Sequence, residues 1–371
     1  MSARPPARDT AARELKFRSL ADELRREILA GSWPPGTKLP TERELAAANG
    51  LSLTTVRRAF EELVQQRLVS RRQGAGTFVA EPVRASAPRR SVGVMVPDTR
   101  LYYPSVLQGI EGALSAAGAG LQLSCCHYDP REEADAVSFL LDSGVDGMLL
   151  VPNLTTVADP AGRLAELLAL PVPVVLVERS LAASGPADRS EYVCSDHRAG
   201  AYDALEHLHR LGHDRIGLIT RSGNPTAVAV CAGYREGLDA LAISGAGRHS
   251  APKSAWDGRQ AGRALDELVA AGATAALVFG DREATLLSAA ARRRGLSIPD
   301  DLALVSYDDE TADVAEVPLT AVAPPKYRVG KLAAQVLLRR LEEGDACPLH
   351  QIRLRPRIVV RDSCGARPPD D

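Results

Sequence analysis

The stretch LSLTTVRRAFEEL, residues 51–63, places Val56, Ala59, Phe60 and Leu63 at the i, i+3, i+4, i+7 spacing of one helical face. Ser52 stands where an N-cap belongs, so Thr54, Arg57, Arg58 and Glu61 project from the other side. Immediately upstream, Thr41-Glu42-Arg43-Glu44 is a capping box that opens a helix of about two turns ending at Asn49-Gly50. A short helix, a glycine turn and a second helix make a helix-turn-helix pattern. Further upstream, FRSLADELRREILAG (17–31) stripes Phe17, Leu20, Ala21, Leu24, Ile28 and Leu29 along one face and stops at Gly31. Downstream, residues 67–80 read as strand, Gly74-Ala75-Gly76 turn and strand, with Arg71 and Arg72 near the tip.

A helix-turn-helix followed by a basic hairpin is a winged helix, whose second motif helix enters the major groove of DNA while the wing reaches the flanking backbone or minor groove. KLPTERELA (38–46), TTVRRAFEELVQQRLV (54–69) and RRQGAGTFV (71–79) occur here in order and at fixed spacing. Over these residues the chain resembles the GntR family of bacterial regulators. The resemblance implies DNA contacts from Arg43, Thr54, Thr55, Arg57 and Gly76, and the basic residues Arg58 and Arg72 of the same helix and wing are added to them. The family usually has Arg before the threonine pair; here Leu53 stands there, which removes a contact worth ~1–3 kcal/mol if it reads a base. GAGTFV is not a phosphate loop, because no Gly-Lys-[Ser/Thr] follows it.

The bulk composition agrees with a two-part chain. Its 371 residues are 45% apolar and 25% charged, an ordinary globular balance with room for a sizeable core. The net charge of −2 hides an asymmetry: residues 1–90 hold 17 Lys and Arg against 10 Asp and Glu, the remainder 28 against 37. A basic head on an acidic body is the pattern of a nucleic-acid-binding module joined to something else. No stretch has the ~18–20 apolar residues of a membrane span, and MSARPPARDTAARELK lacks a signal core. The expected location is cytoplasmic, with no membrane partner. Six cysteines show no CxxC spacing, so neither a zinc site nor a disulfide scaffold is expected.

The expected organisation is a DNA-binding domain at 1–80, a Pro/Ala/Arg-rich linker at 81–90, a body at 91–362 and a tail at 363–371. In the body, apolar runs such as SVGVMVP (91–97), DGMLLVP (146–152) and RIGLITR (215–221) alternate with amphipathic helical segments such as 104–117, 197–211 and 326–343. This rhythm predicts an α/β fold with doubly wound parallel sheets covered on both faces. The length favours two such sheets with a ligand cleft between them. VGVMVPD (92–98), VVLVER (174–179), the long run from His197 to Thr220, AGYREGL (232–238) and VSYDDE (305–310) carry a resemblance to the sensor domain of the LacI/GalR family, which has a two-subdomain, periplasmic-binding-protein-like fold.

That resemblance implies a small-molecule effector, such as a sugar or related metabolite, touched by Tyr102, Tyr103, Glu178, Arg179, Trp256, Asp281, Asp308 and Tyr327. It also implies a homodimer and hence a palindromic double-stranded operator. Two positions depart from the family: Val230 stands at the usual Arg and Gly280 at the usual Asn, with Arg179, Arg198 or Arg221 as replacements. A pocket that has lost sugar binding, in a ligand-independent dimeric repressor, is the alternative. His207, His209 and His213 match the family turn without metal, and no nucleophile motif supports catalysis. No cofactor is expected, since Lys253, Lys326 and Lys331 do not follow strands as a pyridoxal-phosphate lysine would. A solute-binding protein would need export. GntR-type head and LacI/GalR-type sensor together form the architecture of the arabinose-repressor group: a one-component transcription regulator, expected to repress.

Overall fold

A computed structural model describes residues 7–66, 68–72, 76–80, 90–154, 157–181 and 187–366. They form two compact units that divide at Ala87/Pro88. The turn at Gly74-Ala75, the linker at 81–89 and the last five residues lie outside the described set.

The first unit contains α1 (Ala7–Leu29), α2 (Glu42–Asn49), α3 (Leu53–Gln65) and a hairpin of β1 (Val69–Arg72) and β2 (Gly76–Val79). The first helix begins ten residues before the apolar stripe that predicts it. Leu20, Ala21 and Leu24 from α1, Leu45 from α2, Val56, Ala59, Phe60 and Leu63 from α3, and Val69 and Val79 from the hairpin share one core. Both predicted caps form: Thr41 and Glu44 satisfy each other's backbone N–H, and Ser52 accepts from Thr55 N. Gly50, at φ +60°, supplies the left-handed residue that ends α2 and turns the chain into α3.

The second unit is two lobes. In chain order, lobe one begins β3 (Ser91–Val96), α4 (Tyr102–Ala116), β4 (Gly120–Cys125), α5 (Pro130–Asp142), β5 (Gly147–Leu150), α6 (Pro160–Leu168), β6 (Val174–Val177) and β7 (Glu191–Ser195). Lobe two follows with α7 (His197–Arg210), β8 (Arg215–Arg221), α8 (Pro225–Leu241), β9 (Ser244–Ala251), α9 (Gly258–Ala270), β10 (Ala275–Val278), α10 (Asp281–Arg293), β11 (Ala303–Tyr307) and β12 (Thr320–Ala323). The chain then returns for α11 (Lys326–Glu343) and β13 (Gln351–Leu354) in lobe one, and ends with β14 (Arg357–Val359) in lobe two.

The lobe-one sheet runs β13-β7-β6-β5-β3-β4, parallel throughout. The lobe-two sheet runs β14-β12-β11-β10-β8-β9, parallel except for β14 against β12. Each central strand is buried on both faces, as Gly147–Leu150, Val174–Val177 and Ala275–Val278 show. Three short segments cross between lobes: Asp196, Pro324-Pro325 and Arg355-Pro356. Helices α4 and α11 meet so closely that a Cβ on Gly109 or Gly330 would strike the backbone of the other helix.

The tail begins later than expected. Ser363 and Cys364 are buried in lobe two, where Ser363 Oγ accepts from Thr320 N at 2.8 Å and donates to Leu304 O at 2.7 Å. Among the described residues no helix is long and apolar enough to cross a membrane.

Candidate functional site

Among the described residues of the first unit, Arg43, Arg57, Arg58, Arg71 and Arg72 are exposed on α2, α3 and the hairpin, and Arg18 and Arg26 on α1. Arg57 reaches from α3 to α2, its Nε and Nη2 both 3.2 Å from Glu42 Oε2, and Arg71 Nη2 donates to Glu42 Oε1 at 3.2 Å. One carboxylate on α2 thus ties α3 to the hairpin. Arg43 and Thr54 are exposed nearby in sequence, on α2 and the first turn of α3. The Arg72 guanidinium lies 4.6 Å from the Phe78 ring centre and that of Arg58 5.1 Å from Phe17. Gly76 has φ +119°, and a Cβ there would press on the Lys38 side chain. Lys38 is therefore a wing-side cation the motif reading did not single out, although it opens the KLPTERELA block.

One DNA candidate is misplaced. Thr55 is buried, with Oγ1 2.8 Å from Ser52 Oγ, so it stabilises the helix start instead of facing outward. Its place at N3, beside Val56 of the apolar stripe, was the available signal. Exposed ion pairs such as Arg57–Glu42 are worth about 0–1 kcal/mol, so Glu42 holds Arg57 only weakly.

The second unit has a cavity of about 610 Å³ at the carboxyl ends of both parallel sheets, where ligands collect in doubly wound folds. Tyr102, Tyr103, Glu178 and Arg179 line it from lobe one, and Asp281 and Asp308 from lobe two. Four of the seven described non-glycine residues with positive φ are on its wall: Leu101, Tyr128, Glu178 and Asp308. Such backbone costs roughly 1–3 kcal/mol per residue and gathers at functional sites.

Glu178 is held by four groups. Its carboxylate accepts from Tyr102 Oη (2.6 Å), Ser195 N (2.8 Å) and Ser195 Oγ (2.8 Å), and lies 3.5 Å from His197 Nε2. Burial pushes its pKa up, but His197, Tyr102 and Ser195 outweigh that and bring it down to about 2. Asp281 accepts from Ser306 Oγ (2.7 Å), Glu310 N (2.6 Å) and Thr311 N (3.0 Å). Asp308 differs: among the described residues its carboxylate accepts no hydrogen bond. Burial raises its pKa, opposed by Arg221, His197 and Lys326.

Two candidates are not on the cavity. Trp256 is 2% exposed in the core of lobe two, edge-on to His249; only its backbone carbonyl reaches toward the wall, accepting from Arg282 at 2.9 Å. Tyr327 is 47% exposed, with its hydroxyl against Gly112 of α4. Gly112 lies nine residues beyond Tyr103, about 14 Å along the helix, so the ring faces away from the ligand space.

Val230 is fully buried in lobe two. Arg221, at the end of β8, enters the cavity wall instead, with Nε 2.9 Å from Glu283 Oε1 and Nη2 bonded to Glu283 Oε2. Gly280 (φ +110°) leaves the space that this guanidinium occupies: a Cβ there would collide with both Arg221 and Glu283. Arg198 is exposed and bound to Glu236, away from the cavity. The histidines have separate partners: His207 beside Cys364 Sγ, His209 on Asp214 and His213 on Thr274.

The gntR family of bacterial regulatory proteins matches residues 17–79, and the periplasmic binding protein-like domain matches residues 205–364. An arabinose metabolism transcriptional repressor of Geobacillus stearothermophilus is 29% identical over 358 residues, covering 94% of this chain and 97% of its own length. Transcription regulator GntR from Chromobacterium violaceum superposes with a TM-score of 0.63 at 26% identity, over 75% of this chain and all of that structure. A LacI family regulator from Enterococcus faecium, solved with bound ribose, superposes at 0.58 with 25% identity, over 74% and 98% of the two chains.

Proposed function

We propose that this chain, which joins a GntR-family DNA-binding domain to a periplasmic binding protein-like domain, is a transcriptional repressor controlled by a small molecule held between the two lobes. The observation that carries the reading is the pairing, in one chain, of a capped recognition helix presenting Thr54 and Arg57 with a cavity at facing sheet ends. Arg43, Thr54, Arg57, Arg58, Arg71, Arg72 and the Gly76 turn are the DNA contacts we assign, with Lys38 beside them. Phosphate contacts from the arginines set affinity and its salt dependence, and groove contacts set sequence.

The protein acts as a cytoplasmic homodimer on an inverted repeat, because two-fold symmetry in the protein calls for two-fold symmetry in the site. Effector binding shifts the balance between DNA-holding and DNA-releasing arrangements by the difference in its affinity for the two, and by no more. The chain carries out no reaction. Arg221, paired with Glu283 on the cavity wall, supports control by a ligand over repression independent of one.

Selection of duplexes from a random pool by the purified chain tests this. Enrichment of an inverted repeat, bound with a steep salt dependence, is the expected result. Failure to retain any duplex at low ionic strength overturns the proposal.

A further inference from the structure

The cavity wall is lopsided in what its polar groups have left to offer. Glu178 and Asp281 are filled by protein donors, and Glu310 is bonded to Lys326. Asp308 is the lining carboxylate that, among the described residues, accepts nothing. The donors run the other way. Arg179 is more than nine-tenths buried on the cavity wall and forms no ion pair among the described residues. Its Nη1 donates to Glu178 O at 2.7 Å and its Nη2 to Tyr103 Oη at 3.4 Å, while Nε has no partner. The Glu178 carboxylate beside it offsets part of the cost of burying that charge, and an anion in the cavity offsets more. Helix α4 also opens at the cavity with neither a side-chain cap nor an acidic residue in its first turn, so its positive end favours negative charge there, whereas α10 already carries Asp281 and Glu283 in its first turn.

We propose that the effector is an anion on a hydroxylated skeleton, a sugar acid or a sugar phosphate, whose charged group docks on Arg179 of lobe one and whose hydroxyl donates to Asp308 of lobe two. This deepens the regulator reading above and rests on it. The carboxylate or phosphate adds negative charge and acceptor oxygens where the Arg179 guanidinium lines the cavity, in the planar geometry that guanidinium favours. The hydroxyl supplies the donor Asp308 lacks, and a molecule held at both ends ties the lobes together. A neutral sugar adds no negative charge to that of Glu178 beside Arg179.

Two matched series test this on the full chain by calorimetric titration: D-ribose, D-ribonate and D-ribose 5-phosphate, and L-arabinose, L-arabinonate and L-arabinose 5-phosphate. The expected result is that an acid or a phosphate binds at millimolar concentration or below, at least about tenfold tighter than its neutral parent. The acid and the phosphate separate the two sources of charge. Arg179→Gln is expected to lose that preference, and Arg179→Lys, which keeps the charge without the fork, to retain part of it. The proposal is overturned if a neutral sugar binds as tightly as its charged partners, if no charged member binds, or if a folded Arg179→Gln chain, judged by circular dichroism, keeps the preference. A neutral sugar that binds and releases the selected duplex sinks the charge assignment and leaves the regulator reading intact. Absence of duplex binding sinks the regulator reading itself.

Discussion

Arg57 is held by a carboxylate that a phosphate replaces on the proposed reading. Glu42 takes Arg57 on one oxygen and Arg71 on the other, so the free protein keeps both guanidinia extended at weak, exposed pairs. Arg57→Ala removes one phosphate partner: duplex affinity falls, and the slope of log K against log salt becomes shallower by about one unit. Fluorescence anisotropy over a salt series reads both, and an unchanged slope removes Arg57 from the interface. Glu178 makes a second prediction. Its folded pKa of about 2 lies below its ordinary 4.5, so its ionised form stabilises the fold above the ordinary value. That contribution disappears as pH falls from 4.5 through about 2. Thermal melts of wild type and Glu178→Gln should therefore differ at neutral pH, by on the order of 3 kcal/mol, and converge in acid. The resemblance to the LacI/GalR sensor domain, rather than any pattern of their own, marked Tyr102, Glu178, Asp281 and Asp308 as candidates, and all four line the cavity. What it did not reveal is which carboxylates the protein itself fills, because Ser195, Ser306 and the backbone N–H groups that fill them come from other strands and loops. Trp256 and Tyr327 misled because an aromatic ring in a loop or at a helix start looks alike whether it faces a ligand, a core or solvent.

Helix ends carry much of the local instruction. Thr41 accepts from Glu44 N while Glu44 accepts from Thr41 N at 2.7 Å; Thr41→Ala should destabilise the DNA-binding unit by about 1 kcal/mol, read as a lower midpoint in urea with unchanged slope. At the end of β10, Gly280 leaves room for the Arg221–Glu283 pair. Gly280→Ala forces a side chain into backbone of φ +110° and into that guanidinium. The expected outcome is a loss of roughly 1–3 kcal/mol in stability, together with weaker effector binding and unchanged duplex binding in the effector's absence. If calorimetry shows effector affinity unaltered, Arg221 is not part of the site. Elements with a strong period were legible: α2, α3, α7 and α11 begin within a residue or two of where capping and spacing put them. The strands β7, β9, β12, β13 and β14 were not. SGAGRHSA (244–251) has two glycines and half-exposed positions, and QIRL and RIV are too short to show alternation. Their place is fixed by neighbours: β9 pairs along β8, and β14 along β12.

At the scale of the whole sensor unit, the cavity and the crossings between lobes are one structure. His197, immediately after the Asp196 crossing, lies 3.5 Å from Glu178 of lobe one and 3.2 Å from Tyr307 Oη of lobe two. Lys326, immediately after Pro324-Pro325, bonds Asp308 O and the Glu310 carboxylate while its ammonium lies 5.4 Å from the Tyr102 ring centre. Any change in lobe angle is felt by groups that line the ligand space, which is the coupling a regulator requires. Magnitude decides what a mutation here can do. Moving a two-state balance from 1:99 to 99:1 takes about 5.5 kcal/mol of differential affinity, whereas a hydrogen bond to a charged group contributes about 1.5–3 kcal/mol. Asp308→Ala removes one such bond from the bound state and none from the empty one, because its carboxylate accepts nothing among the described residues. The variant should therefore bind the selected duplex as wild type does when no effector is present. It should need roughly 10- to 100-fold more of whichever sugar derivative binds in order to release that duplex. Anisotropy titrations at fixed salt separate these two quantities. An unshifted release curve excludes Asp308 from the ligand, and a weakened duplex complex without effector would mean that Asp308 acts on the lobes directly.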